Sequence, residues 1–308
     1  MKRILKIGSR DSNLALWQAK LIEKKLNNLG FETALTLVKS EGDINLTSPL
    51  YEMGVQGIFT KTLDIALLNG KIDIAVHSLK DVPTQLPKNL VIAGIPERAN
   101  VKDVLVYNNP NFTIEGDLVS TIATSSLRRK AQWLNRYPNH RIESIRGNIN
   151  TRLDKLTQTA HWDGALFAAA GISRIDLNVP HQIELDWMLP APAQGALAIV
   201  CREDDKEVFD IVHQLNHYET ATCANIERGF LRALKGGCSI PIASLATFNG
   251  ETIQFKGNIL SLDGARKVEV DMQFNKNEIP QAGDLAASKL LAAGGDKIAL
   301  ELKSLMTS

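Results

Sequence analysis

TSSLRRKAQWLNRYPNHRIESIRGNINTRL, Thr124–Leu153, is the stretch on which the organisation of the chain turns. It carries Arg128, Arg129, Lys130, Arg136, Arg141, Arg146 and Arg152 against one acid, Glu143. That is a net +6 in a chain whose total is +1, so the remaining residues sum to −5. Arginine's planar fork suits bidentate grip on carboxylates or phosphates, and a multiply anionic ligand is expected. The same stretch sets a local plan. Residues 120–123 read as a strand, Thr124-Ser125-Ser126 as a capping turn, and Leu127, Ala131 and Leu134 as one face of a helix. Residues 141–145 form the next strand, Arg146-Gly147-Asn148 a turn, and 150–156 a second helix, with a further strand at 164–169.

Upstream, a similar plan is already present. Residues 3–8 alternate as a strand, Ser12 or Asp11 caps a helix that runs to Gly30, and 31–38 is a strand. Residues 39–57 lack a period and read as a lid-type loop. A helix over 59–68, a strand over 72–76 that ends in His77-Ser78-Leu79-Lys80-Asp81, and a strand over 90–95 follow. The pattern loosens across 96–103. Strand–turn–helix–strand–helix–strand thus occurs twice, which predicts two α/β lobes with mainly parallel sheets. Pro190–Gly195 is a linker, and the apolar strand 196–201 with its helix is expected to return to the first lobe. From Glu219 the style changes to a helix, then three strands over 242–248, 252–260 and 266–274 with turns at Asn249-Gly250 and Asp263-Gly264, then two closing helices. The expected domains are 1–98 with 196–216, 99–195, and a C-terminal α+β domain at 217–308.

A length of 308 residues calls for more than one core, and 44% hydrophobic with 22% charged content is that of a soluble globular protein. No apolar run is long enough for a membrane span, and no secretory signal follows Met1-Lys2-Arg3. Cys201, Cys223 and Cys238 are odd in number and widely spaced, which argues for a reducing cytoplasm and against a disulfide framework or a zinc site. There is no P-loop, HExxH or Gly-rich dinucleotide signature, and no metal is expected. The near-neutral total and the scarcity of interleaved aromatics argue against a nucleic-acid partner.

Arg128 and Arg129 fall in a first helical turn, where free N–H groups and the helix dipole favour anions and disfavour cations. Their presence there needs a reason beyond the helix. Arg146 and Arg152 flank the next strand–helix junction and Arg10 the matching junction of the first lobe. Such junctions share the ligand-binding edge of an open α/β sheet. Arg128, Arg129, Arg146 and Arg152 are assigned to an anion site, and Arg136 and Arg141 to solvated surface. Asp81 is the odd group out against them, suited to binding N–H donors or stabilising a cation. His77 reads as a strand-end residue with a satisfied ring. Cys238 stands in a tight turn behind Gly236-Gly237.

HSLKDVP (77–83), TSSLRR (124–129), IRGNINTRL (145–153), AQGA (193–196) and GGCSIP (236–241) together resemble the porphobilinogen deaminase (hydroxymethylbilane synthase) family over nearly the whole chain. The resemblance implies two lobes like those of type II periplasmic-binding proteins and a third domain with a three-stranded antiparallel sheet. It implies a dipyrromethane cofactor joined as a thioether to Cys238. The reaction implied is head-to-tail condensation of four porphobilinogens with release of ammonia, followed by hydrolytic release of linear hydroxymethylbilane. Asp81 would stabilise the cationic azafulvene and hold pyrrole N–H groups. Lys80, Asp81, Thr124, Ser126, Arg128, Arg129 and Arg146 would hold the cofactor. Arg10, Ser12, Gln18, Phe59, Arg146, Arg152 and Arg174 would meet porphobilinogen or the growing oligopyrrole. A cytoplasmic monomer, with no membrane partner, is expected. One departure stands out: the family's loop lysines before the GxF motif are replaced here by Glu52 and Gln56.

Overall fold

The computed structural model describes residues 3–38, 60–114, 119–175, 179, 181–236 and 240–307. Its first elements are β1 (Leu5–Ser9), α1 (Asn13–Asn28), β2 (Thr33–Leu37), α2 (Lys61–Leu68), β3 (Ile74–Ser78) and β4 (Leu90–Gly94). Then come β5 (Asp103–Tyr107), β6 (Thr121–Ala123), α3 (Leu127–Arg136), β7 (Arg141–Glu143), α4 (Ile149–Gln158), β8 (Gly164–Ala168), α5 (Ala169–Arg174) and β9 (His181–Glu184). They are followed by β10 (Leu197–Arg202), α6 (Lys206–His213), α7 (Tyr218–Ala233), β11 (Ile242–Asn249), β12 (Thr252–Leu260), β13 (Lys267–Asn275), α8 (Ala282–Leu290) and α9 (Asp296–Thr307). The chain divides into two compact units, residues 1–99, 173–176 and 195–222 in one and the remainder in the other.

The first unit holds a five-stranded sheet of order β2-β1-β3-β10-β4. β1 runs parallel to β2 and β3, whereas β10 is antiparallel to both β3 and β4. Ser12, one of the two expected caps, does cap α1, its Oγ accepting from the Ala15 N–H at 3.3 Å. The stripe Ala19, Ile22 and Leu26 of α1 is fully buried, together with Leu5, Ile7, Ile74, Val76, Ile199, Val208 and Val212. Burial of this apolar face, at ~25 cal/mol per Å², is what fixes the helix to the sheet.

In the second unit the sheet order is β7-β6-β8-β5-β9. β6 is parallel to β7 and β8, and β5 is antiparallel to β8 and β9. In each lobe four of the five strands run the same way, so each sheet is mainly parallel as the repeated plan predicts, with one reversed strand, β10 or β5, inserted among its β–α–β strands. The sheet is covered on both faces: Val104, Val106, Ile145, Leu156 and Phe167 form one core cluster, and Leu105, Ile122, Trp133 and Leu166 another.

β11, β12 and β13 make a three-stranded antiparallel sheet in the same unit, and α7, α8 and α9 pack on its buried face around Phe230, Phe255 and Phe274. The turn at Gly264 (φ 74°) lies against α3, where an added Cβ would stand 2.5 Å from the Ala131 carbonyl oxygen. The Asn135 side-chain amide donates to the Gly264 carbonyl at 2.7 Å. Glu227 of α7, fully buried, accepts from the backbone N–H of Ala193 (2.6 Å) and of Ala246 (2.9 Å). It thereby steadies Ala193 at φ 61°, a left-handed conformation costly for a non-glycine residue.

Candidate functional site

The residues singled out from the sequence fall into two groups, one in each unit, and Cys238 and Phe59 lie outside the described residues. In the first unit, β3 runs into a single 3-10 turn over Leu79–Asp81. The Leu79 N–H donates to the Ala196 carbonyl at 3.0 Å and the Val82 N–H to Leu79 at 3.2 Å. The turn holds Lys80 and Asp81, both partly buried, at the C-terminal edge of the sheet. Asp81 lines a pocket with Arg10, Gln18, Thr60, His77 and Ser78. Gln18, buried on α1, donates from Nε2 to Ser78 Oγ at 2.9 Å. Arg10 follows β1 directly, and Ser12 is occupied as the α1 cap. So Arg10, Gln18 and Asp81 come together in one pocket.

Arg174, 8% exposed, donates from Nη2 to the Gly195 carbonyl at 2.5 Å and stands 5.8 Å from the ring centroid of Trp17. Burial lowers its pKa to about 10. Trp17 is exposed on α1 beside Gln18, and no site role was read for it from the sequence. Its neighbour in the sequence, Gln18, is the signal that could have drawn attention to it.

His77 differs from the satisfied ring expected of it. Its Nε2 is buried and has no hydrogen-bond partner among the described residues. Burial, with the charge of Arg10, pushes its pKa down to about 3. The unfolded chain takes up this proton near pH 6.5, the folded chain not until about pH 3. Stability due to a neutral His77 is therefore complete above about pH 6.5 and is lost as pH falls toward 3. Between pH 7 and pH 4 the parent chain should lose about 3 kcal/mol more stability than His77→Gln. Urea midpoints at the two pH values check this, and parallel losses would show that His77 does not titrate in this way.

In the second unit, Ser126 caps α3 by accepting from the Arg129 N–H at 3.4 Å, and Thr124 Oγ1 accepts from the Ser126 N–H at 3.2 Å. Asn148 caps α4 through the Thr151 N–H at 2.9 Å. Arg146 lies in the turn before α4, half-buried, and Arg152 Nε donates to the Gly147 carbonyl at 2.8 Å. Two capped helix starts thus carry Arg128 and Arg129 on one and flank Arg146 and Arg152 on the other.

Arg128 and Arg129 are both buried, and between them lies the carboxylate of Asp103, with no exposed surface. Arg128 Nη1 donates to Asp103 Oδ2 at 2.7 Å and to the Leu189 carbonyl at 2.8 Å. Arg129 donates to Asp103 Oδ1 from Nε (3.0 Å) and Nη2 (2.8 Å), and to the Leu166 carbonyl from Nη1 (2.9 Å). Gln194 Nε2 adds a bond to Asp103 Oδ1 at 3.0 Å and another to the Val101 carbonyl at 2.8 Å. Burial alone would raise the Asp103 pKa, but the two guanidinium charges and the Arg128 and Gln194 bonds hold it well below the usual carboxylate range. Burial lowers the pKa of Arg129. This carboxylate is the reason two cations tolerate a helix N-terminus. Sequence reading passed over Asp103 and took Gln194 only as part of the AQGA motif. The one local signal was an acid opening the apolar run Asp103–Tyr107.

The family model described as "Porphobilinogen deaminase, dipyromethane cofactor binding domain" matches residues 5–210, and "Porphobilinogen deaminase, C-terminal domain" matches residues 221–292. The chain is 38% identical to the porphobilinogen deaminase of Desulforamulus reducens over 99% of both chains. It is 39% identical to that of Methylobacillus flagellatus over 96% of both, and 39% identical to that of Geobacter sulfurreducens over 97% of this chain and 94% of the relative. Among solved structures, the methionine binding protein MetQ aligns at 16% identity with a TM-score of 0.43, covering 73% of this chain and 96% of that one.

Proposed function

The chain belongs to the porphobilinogen deaminase family, whose members are transferases, and from that premise we propose that it condenses four porphobilinogens head to tail on a dipyrromethane primer carried by Cys238. Ammonia leaves at each addition, and water releases linear hydroxymethylbilane at the end. The observation that carries this reading is the pocket at the end of β3, where Asp81 is the one carboxylate among the described lining residues.

The residues present fit a dipyrromethane. Each of its pyrroles bears an acetate and a propionate, and the second unit holds two buried guanidinium groups with a single carboxylate between them. That cluster is left one positive charge in excess, which a carboxylate-bearing group would balance. Lys80, Thr124, Ser126, Arg128, Arg129 and Arg146 are the side chains proposed to hold it. When bound, the dipyrromethane supplies the pyrrole α-carbon that starts the chain.

Asp81 accepts hydrogen bonds from pyrrole N–H groups and stabilises positive charge at the reacting ring. The proton lost from the α-carbon needs an acceptor, and a carboxylate oxygen of Asp81 takes it. His77 is a poor alternative, since burial and Arg10 keep it neutral and weakly basic. Arg10, Arg152 and Arg174 grip the acetate and propionate groups of porphobilinogen and of the product, and Gln18, tied to Ser78, orients them. Ser12 and Phe59 complete the proposed contacts. The loop with Glu52 and Gln56 lies outside the described residues.

No helix among the described residues is long and apolar enough to cross a membrane. A cytoplasmic setting is supported by the odd number and wide spacing of Cys201, Cys223 and Cys238.

Intact mass tests the reading. The purified chain should carry a covalent adduct of two pyrrole units, and Cys238→Ala should lack it and make no bilane from porphobilinogen. A chain without adduct that still makes bilane would remove Cys238 from this role.

A further inference from the structure

The two guanidinium groups on Asp103 are not equivalent. Arg129 spends its Nε and Nη2 on Asp103 Oδ1 and its Nη1 on the Leu166 carbonyl. The Nε–Nη2 side of its fork, the edge best matched to a carboxylate, is therefore already taken inside the protein. Arg128 is held differently. Its Nη1 makes both short contacts, to Asp103 Oδ2 and to the Leu189 carbonyl. Among the described residues its Nη2 meets only Gln194 Oε1, at 3.5 Å, and its Nε makes no bond. An arginine offers five N–H donors. In Arg128 the unused ones lie on the Nε–Nη2 edge, beside a cluster with two cations and one anion.

Resting on the proposed cofactor site, we propose that Asp103, itself held by Gln194, is a positioning residue that divides the labour between these arginines. It retains Arg129 as an internal brace and fixes Arg128 by Nη1, so that the Nε–Nη2 edge of Arg128 receives a carboxylate of the dipyrromethane. The charge balance agrees. Asp103 cancels one of the two cations and leaves one for a ligand, whereas a second internal acid would have neutralised the site. Gln194 serves the same end, since its Nε2 bonds fix Asp103 Oδ1 to the Val101 carbonyl.

The test is a cycle of Asp103→Asn and Cys238→Ala, singly and together, read by intact mass and by Tm. In the parent, the adduct-bearing chain should melt above Cys238→Ala. Asp103→Asn should leave less than half of the molecules with adduct, and the Tm gap between chains with and without Cys238 should shrink by more than half. An Asp103 that is only a brace would lower Tm equally in both backgrounds and leave adduct occupancy unchanged, and that result overturns the proposal. Should Asp103→Asn not fold, Gln194→Met gives the same readings with a smaller loss, and full occupancy with an unchanged gap overturns the proposal there too. Arg128→Lys should lose more adduct than Arg129→Lys, and the reverse order contradicts the division of labour. A parent chain with no adduct at all would instead overturn the cofactor reading on which this rests.

Discussion

Asp81→Asn is expected to leave the chain folded and able to carry the two-pyrrole adduct, while turnover of porphobilinogen falls by roughly 10²–10⁴-fold, the usual weight of a positioned acid–base group. The substitution keeps shape and one acceptor oxygen but removes the negative charge. Nothing else in the described pocket restores it: the other lining side chains are cationic, neutral or apolar, and His77 cannot bring an anion. Because the 3-10 turn is anchored by the backbone bond from Leu79 to Ala196, its geometry does not depend on the Asp81 carboxylate. Fold and chemistry should therefore separate cleanly. Ammonia release and bilane formation, followed beside intact mass and Tm, check this. Turnover within a few-fold of the parent would remove Asp81 from the mechanism.

Phe230→Ala should cost about 3–5 kcal/mol, the range for emptying a buried aromatic site. Phe230 has no exposed surface and meets the ring of Phe255 edge-on at 5.1 Å. It also fills the space over Gly257, where a Cβ would stand 2.7 Å from Phe230 Cζ. Strand β12 leaves that gap because it has no side chain there, and α7 closes it. Collapse around the truncated residue would require β12 to shift against two neighbouring strands at once, so the cavity should persist. Urea unfolding measures the loss. A change under about 1 kcal/mol would mean the cluster repacks freely.

What was legible in the sequence follows from how local its signals were. The three strands of the C-terminal sheet and their Asn249-Gly250 and Asp263-Gly264 turns carry their own punctuation, and the structure places β11 to β13 within a residue or so of them. α1 announces itself by its stripe and its Ser12 cap. β5 and β9 were missed because neither has an alternating signature of its own: β5 opens on Asp103, and β9 is a four-residue edge strand with no fully buried position. The antiparallel direction of β10 depends on which neighbours it finds, and no periodicity carries that.

The site shows the same division. Arginine type and helix position were enough to expect an anion at Arg128 and Arg129, and a permanent internal one is there. Its donor, Asp103, precedes them by a whole strand and loop, so nothing in Thr124–Leu153 points to it. The missing partner of His77 Nε2 is likewise a property of packing. Ser78 could be placed at a strand end from sequence, whereas its bond to Gln18 joins residues far apart in the chain.

The insertion of β10 between β3 and β4 has a consequence for biosynthesis. Among the described residues β4 pairs with β10 alone, so the first sheet remains incomplete until Arg202 has left the ribosome. The sheet of the second lobe draws every strand from residues 103–184 and can close sooner. With elongation at about 5–20 residues per second, the N-terminal lobe waits on a chain segment made after its neighbour, reversing the usual vectorial order. During that interval the edges of β3 and β4 are unpaired, and it is there that a nascent chain stalled before Leu197 would be most open to protease or chaperone.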